Sequence, residues 1–247
     1  MTTVTEIFPN YAAARARCDA GYDDDLIAEV MAFKTSLPFA SGMPAPEQAL
    51  NSIVAVATAA AETPSRPLCV LDFGGACGFH YLWVVATLGV PLRWAIVETP
   101  TMATRAAKIA QGRFNVFTEI AEAARWLGRI DLVHASGVLQ YMPDPITALQ
   151  TLVDLRSHHI ALARLPIWDR APIVAIQDSF LAENGIGPLP PGVPDKQIRF
   201  PITFVNFADI SRVLSHYTPT LVTDSPSGTY NFRGVHVPGR NLIFRAR

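Results

Sequence analysis

The 247-residue chain is poor in charge, in cysteine and in long apolar runs. Lys and Arg number 20 against 21 Asp and Glu, giving a net charge of −1 and a charged fraction of 17%. No basic field exists to draw in nucleic acid or anionic lipid, so neither is an expected partner. The three cysteines, Cys18, Cys69 and Cys77, include no Cys-x-x-Cys pair. That excludes a disulfide framework and a cysteine zinc site, and leaves three reduced thiols in a cytoplasmic protein. Cys77 has no sequence neighbour that would lower its pKa, so it is expected to be inert. The longest apolar stretches, such as residues 52–61, fall well short of the ~20 residues of a membrane-spanning helix. The opening Met-Thr-Thr-Val-Thr-Glu has no basic start followed by an apolar run, so no secretory signal is expected. Repeats are absent. What remains is a chain that is 50% hydrophobic, enough for a sizeable core and incompatible with global disorder.

Residues 1–65 read as a helical extension. Asp23-Asp24-Asp25 precedes Leu26, Ile27, Val30 and Met31 at helical spacing, with the acids at the positive end of the helix dipole. Pro46-Glu47-Gln48 opens another helix, which Pro64 and Pro67 end. From residue 66 the pattern alternates. Strands are expected at 68–73, 93–97, 114–117, 130–135 and 159–163, and helices at 79–88, from Thr99 or Thr101 to Gly112, at 119–127, and after Asp144-Pro145. Such alternation specifies an α/β domain with a parallel sheet covered on both faces. Residues 165–203, with a proline run at 187–194, break the pattern and read as a long irregular insertion. A helix at 207–216, a strand near 221–223 and a last strand at 241–244 follow, the last two close enough to pair antiparallel.

The segment that carries chemistry is Asp72-Phe73-Gly74-Gly75-Ala76-Cys77-Gly78, at a strand end and opening a helix. There a ligand meets unpaired backbone N–H groups and a helix N-terminus. The Gly-x-Gly-x-x-Gly dinucleotide fingerprint does not fit, because starting at Gly74 puts Ala76 and Phe79 at the later glycine positions. A phosphate-binding Gly-Lys-Ser/Thr is also missing. Acid-x-Gly-x-Ala-x-Gly does fit, with Glu98 ending the next strand twenty residues after Gly78. Singly, a glycine loop can be a plain turn and a strand-end acid an N-cap. Together, in this order on alternating elements, they point to a nucleotide-type cofactor at the carboxyl edge of the sheet.

The chain resembles a largely uncharacterised family of class I S-adenosylmethionine-dependent methyltransferases, often encoded near bacterial surface-polysaccharide genes. The resemblance rests on Gly21-Tyr22-Asp23, Leu71-Asp72-Phe73-Gly74-Gly75, Val97-Glu98, Ser136-Gly137-Val138-Leu139-Gln140-Tyr141 with Asp144-Pro145, Arg164, Pro166 and Gln177. It departs at Ala76-Cys77, where glycine is more usual, and at Ala163, where an acid is expected. It implies a Rossmann-like, seven-stranded sheet with an antiparallel last strand. It also implies S-adenosylmethionine as cofactor, S-adenosylhomocysteine as product and a small-molecule acceptor, a sugar or biosynthetic intermediate by family context. Glu98 would accept from the ribose hydroxyls, Asp72 would bind or orient the methionine ammonium through loop amides or water, and Gly74, Gly75, Ala76, Gly78, Thr99, Phe117 and Ser136 complete the expected cofactor set.

Transfer from a sulfonium is an in-line displacement for which the protein mainly supplies alignment. An oxygen acceptor would gain from a base. Ser136, Gln140 and Tyr141 sit at the fourth strand's end and are the expected acceptor-side groups, with His134 a weaker base candidate. Arg164, Trp168 and Gln177 are expected on the substrate side, with Trp168, Phe180 and the proline run lining an apolar mouth. Residues 1–65 and 165–203 are expected to form a lid. His158-His159 has no third ligand at suitable spacing, so no metal site is expected. The competing readings are a methyltransferase-like binding protein without catalysis and a nicotinamide oxidoreductase, which the loop spacing opposes.

Overall fold

Leu68, Val70 and Asp72 alternate with Cys69 and Leu71 along one short run, and all five are buried. A strand buried on both faces needs a helical layer on each side. The computed structural model, which describes residues 2–4, 6–18, 21–37 and 44–247, supplies both layers. In chain order it contains β1 (Thr2–Val4), β2 (Ile7–Phe8), α1 (Tyr11–Arg15), α2 (Asp25–Ser36), α3 (Glu47–Ala61), β3 (Leu68–Phe73), α4 (Phe79–Leu88), β4 (Leu92–Val97), α5 (Pro100–Ala110), β5 (Asn115–Phe117), α6 (Ile120–Leu127) and β6 (Leu132–Ser136). Then come α7 (Pro145–Val153), β7 (His159–Trp168), β8 (Ile173–Phe180), β9 (Gln197–Asn206), α8 (Phe207–Val213), β10 (Tyr217–Phe232) and β11 (Val235–Ala246).

Local signals set the helix starts. Asp24 accepts from the Leu26 and Ile27 amides, and Asp144 caps α7 ahead of Pro145. Thr99 caps α5 ahead of Pro100. The central strands run β5-β4-β3-β6-β7-β11-β10. Those from β5 to β7 are mutually parallel, whereas β11 is antiparallel to both β7 and β10. One face packs on α6, α7 and α8 around Leu71, Val133 and Leu162. The other packs on α3 and α4 around Val70, Trp94 and Leu132. Among the described residues no helix is long and apolar enough to cross a membrane.

Three expectations need correction. The 1–65 extension is not all helix, because β1 pairs with β10 and β2 with β8. Residues 165–203 are irregular only in part, because β8 and β9 form an antiparallel pair and β9 joins the end of β7, while the proline run at 187–194 lies in the connection between β8 and β9. The period-two pattern of β9 is interrupted in sequence by Pro201, which hides the strand. The last two strands are far longer than the short segments expected, at 16 and 12 residues. Their extra length builds a third small core with Trp168, Ile202 and Phe204.

Candidate active site

All the parallel strands end at one edge, and a cavity of about 630 Å³ opens there. Its floor is the turn after β3. The Gly74 amide donates to Val97 O at 2.9 Å, and a Cβ on Gly74, at φ 69°, would lie 2.4 Å from Val138. Glycine is therefore required there by packing as well as by ligand approach. Ala76 holds φ 47° without being glycine, a conformation that costs about 1–2 kcal/mol for an L-residue. Its amide donates to Glu98 Oε1 at 2.8 Å, and the Thr99 amide donates to Oε2 at 2.9 Å. Glu98 thus ties the two strand-end turns together while lining the cavity. Burial pushes its carboxyl above the usual range; the Thr99 and Ala76 amides pull it down, and the Asp72 charge adds to the rise.

The opposite wall comes from the ends of β6 and β7. Arg164 sits at φ 55° beside a register shift between β7 and β11. That irregularity turns its guanidinium onto the β6 end, where Nε donates to Ser136 Oγ at 3.2 Å and Nη2 to Ser136 O at 3.0 Å. Arg164 makes no ion pair among the described residues. Gln140 donates to Arg164 O at 3.2 Å, while its buried Oε1 has no partner among the described residues. Tyr141 donates to Gln177 Oε1 at 2.8 Å and lies 3.2 Å from the Tyr230 hydroxyl. Tyr22 stacks on Phe200 at 4.6 Å and tilts against Tyr141 at 5.2 Å. Burial foremost pushes the Tyr22 and Tyr230 hydroxyls well above the usual phenol range. The β8–β9 pair and the N-terminal segment both line this half of the cavity, through Gln177, Ser179, Asn184 and Phe200 on one side and Tyr11, Tyr22 and Met31 on the other.

Of the expected site residues, Gly74, Ala76, Glu98, Thr99, Ser136, Gln140, Tyr141, Arg164 and Gln177 line this cavity. Gly75 lines a smaller adjoining recess of about 120 Å³. Others are elsewhere. Asp72 and His134 are Cα partners on β3 and β6 whose side chains point into the α3–α4 layer, away from the cavity. Asp72 accepts from His134 Nδ1 at 2.7 Å and from Trp94 Nε1 at 3.1 Å. The acceptor-side place expected of His134 is thereby corrected, and Asp72 has no direct path to the cavity: the strand pleat puts both side chains on the covered face. Trp168 belongs to the third core, and Phe180 points outward, so neither lines a mouth. Phe117 packs against Trp126 at 5.9 Å, and Gly78 is the N-cap of α4 against the Phe114 ring. Burial pushes the Cys77 thiol up to about 12, aided by the Glu98 charge.

Other groups were hidden in the linear chain. Ser52, on α3, joins the Asp72–His134 pair and links it to His80 by tertiary contact alone. Glu62, at the end of α3, lies beside His158 and His159 at the far edge of the sheet. It is the third group their sequence neighbourhood lacked, and Arg245 also donates to it at 3.3 Å.

Seven central strands in this order, the last antiparallel, with a glycine turn after the first and an acid after the second, define the class I methyltransferase fold. No protein-family model and no curated protein matches the chain. Solved structures do. Magnesium protoporphyrin IX methyltransferase from Synechocystis PCC 6803, with S-adenosylmethionine bound, is similar at TM-score 0.51 and 14% identity over 91% of this chain and 98% of that one. The N-terminal domain of EvdMO1, crystallised with S-adenosylhomocysteine and D-fucose, is similar at TM-score 0.51 and 14% identity, over 92% and 100%. The sugar N-methyltransferase KedS8 from Streptoalloteichus gives TM-score 0.50 and 14% identity, over 86% and 97%. At such identity the likeness establishes the fold.

Proposed function

We propose that the chain transfers a methyl group from S-adenosylmethionine to an oxygen or nitrogen of a small molecule, leaving S-adenosylhomocysteine. The observation that carries this reading is the joint placement of the glycine turn and Glu98 on one large cavity at the carboxyl edge. The residues fit the cofactor. A carboxylate has about four lone-pair sites, and two amides occupy two of them at Glu98, leaving acceptors for a ribose diol. Hydrogen bonds to such a charged group contribute about 1.5–3 kcal/mol each. Gly74, Gly75 and Ser136 would face the amino-acid end, and Thr99 the nucleoside end. The bound cofactor supplies an already activated methyl group. The chain's task is to hold the acceptor in line and keep water out.

Tyr22, Tyr141, Phe200 and Tyr230 give the acceptor half flat apolar walls, and Gln177, Ser179 and Asn184 give it hydrogen-bonding rims. Such a lining suits a hydroxylated ring. The sugar context of two structural neighbours supports a sugar or sugar-derived intermediate. The N-terminal segment and residues 165–203 act as the cover over this half. Cys69 and Cys77 are buried thiols outside any disulfide, which supports a cytoplasmic setting.

The test is mass spectrometry of ligand released on denaturing the purified protein, followed by assay of a panel of amino- and hydroxy-sugars. S-adenosylhomocysteine should be released, and its formation from S-adenosylmethionine should depend on the acceptor. Cofactor binding with no turnover on any acceptor class would leave a binding module, and a nicotinamide in place of the sulfonium would overturn the reading.

A further inference from the structure

Four polar side chains form a buried file beneath the glycine turn. Asp72 Oδ1 lies 2.7 Å from His134 Nδ1, His134 Nε2 lies 2.8 Å from Ser52 Oγ, and Ser52 Oγ lies 2.8 Å from His80 Nδ1. All four are buried, and the least so, His80, is 5% exposed. It lines the 120 Å³ recess that adjoins the main cavity through Gly74, Ala76, Ser136 and Arg164. Buried polar files of this kind are kept when every member is satisfied.

The proton positions follow from the far end. Asp72 accepts from two donors, Trp94 Nε1–H and His134, as a carboxylate does. With His134 neutral, its proton sits on Nδ1 and Nε2 is bare. Ser52 has a single hydroxyl proton and gives it to that bare nitrogen. Its oxygen then accepts from His80 Nδ1–H. The His80 Nε2 is left as a lone pair, with no hydrogen bond to any described residue. Burial foremost, with the nearby Arg164 guanidinium, holds the His80 imidazole well below its usual range, so it stays neutral.

We propose that His80 Nε2 accepts a hydrogen bond from the α-ammonium of the cofactor's amino-acid tail, and that Asp72, through His134 and Ser52, is a positioning residue that locks His80 in the accepting tautomer. This rests on the cavity being an S-adenosylmethionine site. The recess complements a zwitterion: Lys34 and Arg164 bring positive charge for the tail carboxylate. The carboxylate there, Glu183, is already engaged by Ser179 Oγ at 2.6 Å and the Phe180 amide at 2.9 Å. The arrangement gives Asp72 an effect on the ligand although it never touches it.

Nitrogen-15 spectra of the wild-type imidazoles test the lock without any variant. Both His80 and His134 should be protonated on Nδ1 and bare on Nε2, and a proton on His80 Nε2 would overturn the proposal. Calorimetry then compares S-adenosylhomocysteine with 5′-methylthioadenosine, which lacks the amino-acid tail. His80→Phe should weaken the first by roughly 10- to 100-fold and leave the second unchanged. Ser52→Ala should move the His80 proton to Nε2 and weaken S-adenosylhomocysteine about tenfold, which keeps the test open should His80→Phe fail to fold. Equal losses for both ligands, unchanged S-adenosylhomocysteine affinity, or a larger loss on Glu183→Gln would each overturn the assignment. A wild-type protein with the expected tautomers that binds neither nucleoside would instead remove the cofactor reading.

Discussion

The two edges of the sheet treat polar groups in opposite ways. At the amino edge, Asp131 accepts from both arms of Arg66 at 2.7 and 2.8 Å, from Arg129 at 3.0 Å and from the Cys69 amide at 2.9 Å. At the carboxyl edge, among the described residues, Arg164 has no acid partner and buried Gln140 Oε1 has no hydrogen-bond donor, while Ala76 and Arg164 occupy the left-handed region. The first arrangement is closed and adds stability. The second carries strain and unused hydrogen-bonding capacity, which a fold keeps where a ligand is to complete it.

The largest stability effect should come from breaking the closed edge. Asp131→Ala is expected to lose about 2–3 kcal/mol in a denaturant titration, chiefly from the orphaned Cys69 amide, with the exposed side of the ion pairs discounted for solvent. Its affinity for S-adenosylhomocysteine should not change.

The two edges should also differ in pH dependence. Burial tends to raise the Asp131 pKa, but the Arg66 and Cys69 hydrogen bonds and the charges of Arg129 and Arg66 outweigh it and hold the carboxyl below its usual range. Its contribution is therefore present above the unfolded value of about 3.9 and lost as pH falls through the folded pKa. Glu98 is raised, so its contribution is full below the unfolded value of about 4.3 and lost as pH rises through the folded pKa. Melting temperatures against pH should show the deficit of Asp131→Ala shrinking in acid, while Glu98→Gln gains on wild type as pH rises.

Smaller effects sharpen the contrast within the open edge. Tyr141→Phe removes the hydroxyl that reaches Gln177 at 2.8 Å and should raise the acceptor KM several-fold, about 1 kcal/mol, with cofactor affinity intact. Ala76→Gly relieves the left-handed strain and should stabilise by up to about 1 kcal/mol, set against the looser unfolded chain.

Much of this edge was legible in the chain. Leu68–Phe73 is an apolar run broken only by Asp72 and stopped by glycines, and Glu98 follows at the spacing of a second strand end. The lost parts share one cause, which is that side-chain partners are chosen in three dimensions. Asp72 precedes the glycine turn, but nothing in the sequence marks the partner its pleat position gives it, His134 on the covered face. Ser52 sits in a plain alanine-rich helix with nothing in its sequence to mark it. Trp168 looked like a mouth residue because the strand was expected to stop at 163, whereas β7 continues and takes the indole into a core. Phe200 and Tyr230 reach the cavity only because β8, β9 and β10 fold back over it.

Calorimetric titration of S-adenosylhomocysteine into wild-type and Glu98→Ala protein is the most direct test of the open edge as a cofactor site. One equivalent should bind wild type, and the variant should lose about a hundredfold or more in affinity while melting cooperatively. No binding to wild type, or equal binding to both, would contradict the account.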